Sequence, residues 1–266
     1  MGRAAAGLAL LALAACRQAA APAPSPDREP SPPDVRAAPD TGNPLCRRVG
    51  RQTVKLTTDD GVTLEADLYR TAEIGGPVAL LVHEIPPRYD RRRYPERFID
   101  ALLLRGVSVL NLDRRGAGGS GGVAREAYRG PKGWLDVKAA RDVLASYPCK
   151  LDAARLVCVG ASNGTTSCLD YAAHAKLSAL VLLTGGRYTE AQHPLSTARA
   201  LPVLLVTSAA EAAWSRARTG KGAPPSWKLL EYRGPGKAAG HGTGIFRARP
   251  ESIDRVADFI AEAVKR

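Results

Sequence analysis

The stretch that most constrains this chain is Leu156 to Ala173, LVCVGASNGTTSCLDYAA. Leu156 to Val159 has the continuous apolar character of a strand buried on both faces. Gly160-Ala161-Ser162-Asn163-Gly164 then makes a very tight turn, and a helix follows. This is the G-x-S-x-G pattern in strand–turn–helix context. Glycines two residues either side of the serine let strand and helix approach without side-chain clashes. Ser162 at the apex is held in strained backbone, its hydroxyl exposed above the sheet edge. The N-terminus of the following helix is aimed at it, which suits a developing negative charge. Outside that context the pattern is an ordinary Gly-Ser turn; within it, Ser162 is a candidate nucleophile.

The chain opens with MGRAAAGLALLALAAC, one basic residue (Arg3) ahead of an apolar run from Ala4 to Ala15. The run is too short to cross a bilayer and ends in small residues, as secretory signals do. Leu13-Ala14-Ala15-Cys16 resembles the bacterial lipobox. The resemblance implies cleavage before Cys16 and attachment of a diacylglycerol to its sulfur; the competing reading is an ordinary signal with an incidental cysteine. Acyl chains at Cys16 would hold the protein to a membrane in the cell envelope. Arg17 follows rather than an aspartate, which favours the outer membrane where the organism has one. Residues 1–15 thus read as a signal segment and 16–45, rich in Ala, Pro, Ser and Asp, as a disordered tether. Residues 46–266 remain for a folded domain.

Within that domain the apolar pattern alternates between strands and helices. Gln52 to Leu56 and Val62 to Tyr69 flank the turn Asp59-Asp60-Gly61 and predict an antiparallel hairpin. Pro77 to His83, Val107 to Leu112, Leu177 to Leu183, Leu201 to Thr207 and Trp227 to Tyr232 read as further strands. Helices are predicted over Arg92 to Arg105, from about Trp134 to Ser146, after the serine turn, and over 251–264 with Ile253, Val256, Ile260 and Val264 inward. The fold class is α/β: one domain with a mostly parallel twisted sheet, helices on both faces and an antiparallel N-terminal hairpin. The short interval between Leu183 and Leu201 leaves no room for a large lid.

Four landmarks in this order resemble the α/β-hydrolase superfamily over roughly residues 50 to 266. They are His83-Glu84-Ile85 after one strand, Asp113-Arg114-Arg115-Gly116-Ala117-Gly118-Gly119-Ser120 after the next, the turn at Ser162, and His241 near the end. The second is similar to that superfamily's D-x-R-G-x-G-x-S loop, which shapes the site. The first resembles the dienelactone-hydrolase branch, whose nucleophile is a cysteine where this chain has Ser162. The resemblance implies a serine hydrolase or carboxylesterase acting on a small ester-type substrate, without a cofactor or metal. His241, between Gly240 and Gly242, occupies the place of the base in the order serine–acid–histidine. The acid a few residues past the Leu201 to Thr207 strand is then Glu211, with Glu190 after the preceding strand as the alternative. The oxyanion donors would be the backbone N–H of Asn163, directly after the nucleophile, and that of Ile85. Glu84 must then turn aside, toward Arg115 or toward Ser162. His83 reads as structural, His174 as too far along its helix, and His193 as part of a polar loop.

The formal net charge is +12, but the basic residues are scattered apart from Arg91-Arg92-Arg93, and aromatics make up only 5%. No nucleic-acid motif accompanies the charge, so it reads as surface character or affinity for anionic envelope polymers. The arginine run reads either as a solvated face or as a selector of anionic substrates. Cys158 and Cys168 read as small core residues; Cys46 and Cys149 are candidates for a disulfide in an oxidising compartment. No cysteine or histidine cluster has metal-ligand spacing. Two rivals remain at this level: a non-catalytic envelope lipoprotein that keeps the fold as a scaffold, and an acyltransferase. Sequence leaves the substrate and oligomeric state open.

Overall fold

The computed structural model describes residue 46, residues 50–234 and residues 240–265. The expected signal segment, Cys16 and the tether lie outside the described residues. Eight strands form one sheet: β1 (Gly50–Thr57), β2 (Thr63–Arg70), β3 (Val78–Val82), β4 (Ser108–Asp113), β5 (Leu156–Ala161), β6 (Ala179–Leu183), β7 (Val203–Ser208) and β8 (Trp227–Tyr232). The spatial order is β1-β2-β4-β3-β5-β6-β7-β8. The β1–β2 hairpin and the β2–β4 pairing are antiparallel, and every later pairing is parallel.

Strands β3 to β7 are buried along their whole length, so both faces need cover. Period-two alternation divides their side chains between two cores. Ala79 and Leu81 of β3 pack under helices α1 (Glu96–Leu103) and α7 (Glu251–Ala263), whereas Val78, Leu80 and Val82 pack under α3 (Gly133–Ser146) and α4 (Gly164–His174). Ile253, Val256, Ile260 and Val264 are all buried, as their helical spacing predicts.

Several boundaries depart from the sequence reading. Helix α1 begins at Glu96, not Arg92, because Pro95 keeps the chain extended (φ −70°, ψ 142°), and residues 91–93 form only a 3₁₀ turn. The glycine-rich stretch before α3 contains an additional short helix, α2 (Ala124–Arg129). After β7, a 3₁₀ turn over Ala209–Glu211 precedes α5 (Ala213–Thr219), and α6 (Gly244–Ala248) precedes α7. Between β6 and β7 only two 3₁₀ turns occur, Arg187–Glu190 and Leu195–Ala198, and no lid domain is inserted.

The cysteines resolve one pairing that the sequence leaves open and bring one correction. Cys46 is bonded to Cys149, and the Cys46 carbonyl accepts a hydrogen bond from Arg70, so the chain just before β1 is tied to the body of the domain. Cys158 and Cys168 are not free core thiols; they form a second disulfide. The reason is geometric. The serine turn folds α4 back along β5, which sets the Cα atoms of these residues 5.7 Å apart, within bridging distance.

The first bridge spans 103 residues. Closing so long a loop restricts the unfolded chain by about 4–5 kcal/mol in the chain-entropy account, against roughly 2–3 kcal/mol for a ten-residue loop. The Cys46→Ser/Cys149→Ser variant is therefore expected to unfold at a midpoint lower by roughly 10 °C in thermal melts.

Candidate active site

The site begins with two glycines. A Cβ on Gly160 would lie 2.6 Å from the Gly164 carbonyl oxygen, and one on Gly164 would strike the carbonyl oxygens of Val82 and His83. Both positions must therefore be glycine for β5, α4 and the end of β3 to meet as closely as they do. Between them the backbone of Ser162 turns left-handed, with φ 48°, a conformation that strains a non-glycine residue. The turn is fixed from three sides. Ser162 N–H donates to the Leu183 carbonyl (2.8 Å), and its carbonyl accepts from the Thr165 N–H (3.0 Å) and hydroxyl (2.6 Å).

Beyond the sheet edge, residues far apart in sequence converge. The Ser162 hydroxyl donates to His241 Nε2 at 2.8 Å, and His241 Nδ1–H donates to both oxygens of Glu211 at 3.0 Å. Glu211 arrives from the turn that follows β7. His241 sits between Gly240 (φ 86°) and Gly242 (φ 55°), which bend the loop over the sheet edge. Ser208, at the end of β7, donates a long bond (3.4 Å) to Glu211. Glu190 is elsewhere engaged: it pairs with Arg218 and accepts from Trp214 Nε1 (3.0 Å) and Leu195 N–H (2.8 Å). That partner set draws its carboxyl below the ordinary range despite burial.

Glu84 turns toward neither Arg115 nor Ser162. One of its oxygens accepts the N–H (3.0 Å) and hydroxyl (2.6 Å) of Thr243, and the other lies 3.7 Å from Arg93 Nε. It thereby clamps the loop that carries His241. Arg115 is taken up by Asp136, Asp60 and Glu126, which fasten the 113–120 loop into the body of the domain. The arginine run divides in the same way. Arg91 is enclosed by Glu65, Asp67 and Asp113, Arg92 pairs with Asp90 at the surface, and Arg93 lies over the Tyr89 ring at 4.5 Å.

Several contributors carry no sequence signal beyond their place after a strand. Thr184 (φ 54°) follows β6; its hydroxyl accepts the Gly242 N–H at 3.0 Å, and its carbonyl accepts from the Tyr188 hydroxyl. Tyr188 lies beside Ser162, and burial pushes its phenol up to about 12, so it remains a donor at neutral pH. Ile85 is 37% exposed at the rim. The Glu84 carbonyl oxygen and the Asn163 side-chain oxygen both accept from one nitrogen of Arg114 (3.1 and 3.0 Å), which places the loop after β3 against the serine turn. His174 and His193 take no part. They form a cluster with Trp134 and Asp170, with His174 about 15 Å along α4 from its first residue. Among the described residues no group of three or more side chains is arranged to hold a metal ion.

Neither a protein-family profile nor a curated protein sequence matches the chain. Solved structures do. An esterase of Pyrococcus furiosus superposes with a TM-score of 0.63 at 20% identity, over 88% of this chain and 97% of that one. An α/β hydrolase of Penicillium gives 0.62 at 14% identity, over 82% and 100%. The fold is that of the α/β hydrolases. A lid-less α/β serine hydrolase of Xanthomonas campestris matches at 0.57 and 17% identity, over 82% of this chain and 95% of that one. Within this α/β-hydrolase fold, the Ser162–His241–Glu211 contacts lie where parallel strands end, the usual place for chemistry in open sheets. An imidazole so placed can accept the hydroxyl proton of Ser162, while the carboxylate fixes its tautomer.

His83 supports the same region from below. Its Nδ1–H donates to the Glu84 carbonyl (2.8 Å), its Nε2 accepts the Arg114 N–H (3.0 Å), and burial depresses its pKa to about 3. The folded state thus keeps His83 neutral while the unfolded chain protonates it near 6.5. Its contribution is fully present above pH 6.5 and is lost as pH falls toward 3, at about 1.4 kcal/mol per unit. Denaturant titrations between pH 6.5 and 4.5 should therefore show wild-type stability falling more than that of His83→Gln, by about 2–3 kcal/mol.

Proposed function

We propose that the chain is a serine hydrolase that cleaves an ester, thioester or short amide through an acyl-enzyme intermediate. The observation that carries this reading is the continuous hydrogen-bonded series Ser162–His241–Glu211 on an α/β-hydrolase sheet. In this mechanism Ser162 Oγ attacks the substrate carbonyl as His241 Nε2 takes its proton. Glu211 holds the imidazole in the Nδ1–H tautomer and stabilises the imidazolium. The tetrahedral oxyanion is bound by the N–H groups of Ile85 and Asn163; removing one such donor typically costs about 3–4 kcal/mol. His241 then returns its proton to the leaving group, and water, activated in the same way, releases the acid. No step requires a cofactor. The open rim, with His241 at 42% side-chain exposure, suits small or protruding ester groups.

A fluorophosphonate probe is expected to label wild-type protein and not Ser162→Ala. Hydrolysis of p-nitrophenyl acetate should fall by about 10⁴-fold or more in Ser162→Ala and by at least about 10²-fold in Glu211→Gln. Glu190→Gln should retain kcat while melting at lower temperature. Equal losses in the two glutamate variants would remove Glu211 from its role, and a fully active Ser162→Ala would remove the hydrolase reading. p-Nitrophenyl esters of rising chain length would then define the acyl preference.

We also propose that the enzyme is a lipoprotein of the bacterial envelope, anchored through Cys16. The supporting features are the short apolar leader and the lipobox-like Leu13-Ala14-Ala15-Cys16. Expressed with its leader in a bacterium, the wild type should partition into the detergent phase with the membrane fraction. Cys16→Ser should instead remain unprocessed and fail to incorporate labelled palmitate.

A further inference from the structure

Arg114 occupies the variable position of the 113–120 loop, yet its side chain is completely buried. Arg115 beside it has three carboxylate partners, whereas each hydrogen bond from the Arg114 guanidinium ends on a neutral acceptor. One terminal nitrogen donates to the carbonyls of His83 (3.3 Å) and Glu84 (3.1 Å) and to the Asn163 side-chain oxygen (3.0 Å). The other donates to the Ala127 carbonyl (2.6 Å) and the Ser167 hydroxyl (3.1 Å). Burial lowers its pKa to about 10, which leaves it charged at neutral pH. A buried cation without a contacting anion is costly to the fold. The acceptors it has are informative: the Glu84 carbonyl belongs to the peptide whose N–H is that of Ile85, and Asn163 is the residue after Ser162.

We propose that Arg114 is a positioning residue for the oxyanion site, a buried cation that polarises the Glu84–Ile85 peptide through its carbonyl and holds Asn163 in place through its side-chain oxygen. This rests on the serine-hydrolase reading above. A cation on the carbonyl side of a peptide draws electron density from its N–H and strengthens it as a donor, and chained hydrogen bonds reinforce one another in a low-dielectric interior. The Glu84 carbonyl also accepts from His83 Nδ1 at 2.8 Å, so that peptide is gripped by two donors and its N–H direction is fixed. A full positive charge lies one peptide away from the position of the oxyanion, on a side chain that is completely buried and therefore weakly screened by solvent. A neutral ester carbonyl gains less from that charge than the tetrahedral anion does. The net effect belongs to kcat.

The test compares Arg114→Lys with Arg114→Gln in the full chain. Both lose the forked guanidinium, but only the lysine keeps the charge. Three readings are taken for each protein: kcat and KM for p-nitrophenyl acetate, the inhibition constant of phenylboronic acid, which forms a tetrahedral anion on the serine, and the melting temperature. Arg114→Gln is expected to lose roughly 10- to 100-fold in kcat and the same factor in boronate affinity, with KM changed less than about twofold. Arg114→Lys should recover most of both. Equal kinetics in two folded variants, or a loss confined to KM, would overturn the proposal. Should neither variant fold, Asn163→Ala keeps the arginine and releases one of its acceptors while sparing the main-chain N–H. Several-fold weaker boronate binding at unchanged KM is then expected, and unchanged binding overturns the proposal. A wild-type chain that neither reacts with fluorophosphonate nor binds boronate refutes the hydrolase reading itself. An active wild type with indifferent Arg114 variants refutes only the role of Arg114.

Discussion

The contact on which the rest of the structure depends is the approach of α4 to the ends of β3 and β5, closer than any side chain would permit. Gly160 and Gly164 allow it, and the price is the left-handed backbone of Ser162. A strained residue persists only when its surroundings over-determine it. Here they do. The Leu183 carbonyl, Thr165 and the Cys158–Cys168 bridge each restrain a different part of the turn. The strain directs one hydroxyl outward, and every other element of the site is placed with respect to that hydroxyl.

Around this turn the loops are secured by buried ionic and polar groups rather than by apolar packing. Arg115 with Asp136 and Asp60 locks the 113–120 loop, and Arg91 with Asp67 and Asp113 locks the start of the α1 connection. Glu84 clasps Thr243. Such groups contribute little net stability compared with well-packed hydrocarbon, but removing one partner leaves the other unpaired and strongly disfavoured. Their value lies in geometry, because each admits few alternative arrangements. Loops that would otherwise wander over a sheet edge are thereby held to a fixed shape around the rim.

Much of this was legible in the sequence. Continuous apolar runs located β3 to β7, because strands buried on both faces need hydrocarbon on both. The glycine spacing located Ser162, and the order of landmarks pointed to His241 and Glu211. What escaped was long-range. Nothing near Glu84 in sequence announces Thr243, 159 positions away. Cys158 and Cys168 sit among core residues and look apolar by context; only the reversal of direction at Ser162 brings them together. Pro95 was readable as a helix start, yet the three arginines before it masked that signal with apparent helical character. Arg114 is a further instance. A charged residue in a loop suggests solvent, and its burial follows from backbone carbonyls of two segments and side-chain oxygens of a third.

The link between β6 and β7 consists of little more than two 3₁₀ turns. Among the described residues no segment inserted between these strands covers Ser162, so the hydrolase proposed above would exchange substrate and product directly with bulk solvent and would need no oil–water boundary to expose its serine. Velocity should therefore rise as a simple hyperbola through the concentration at which a sparingly soluble ester begins to form micelles, without the abrupt step that gated lipolytic enzymes display.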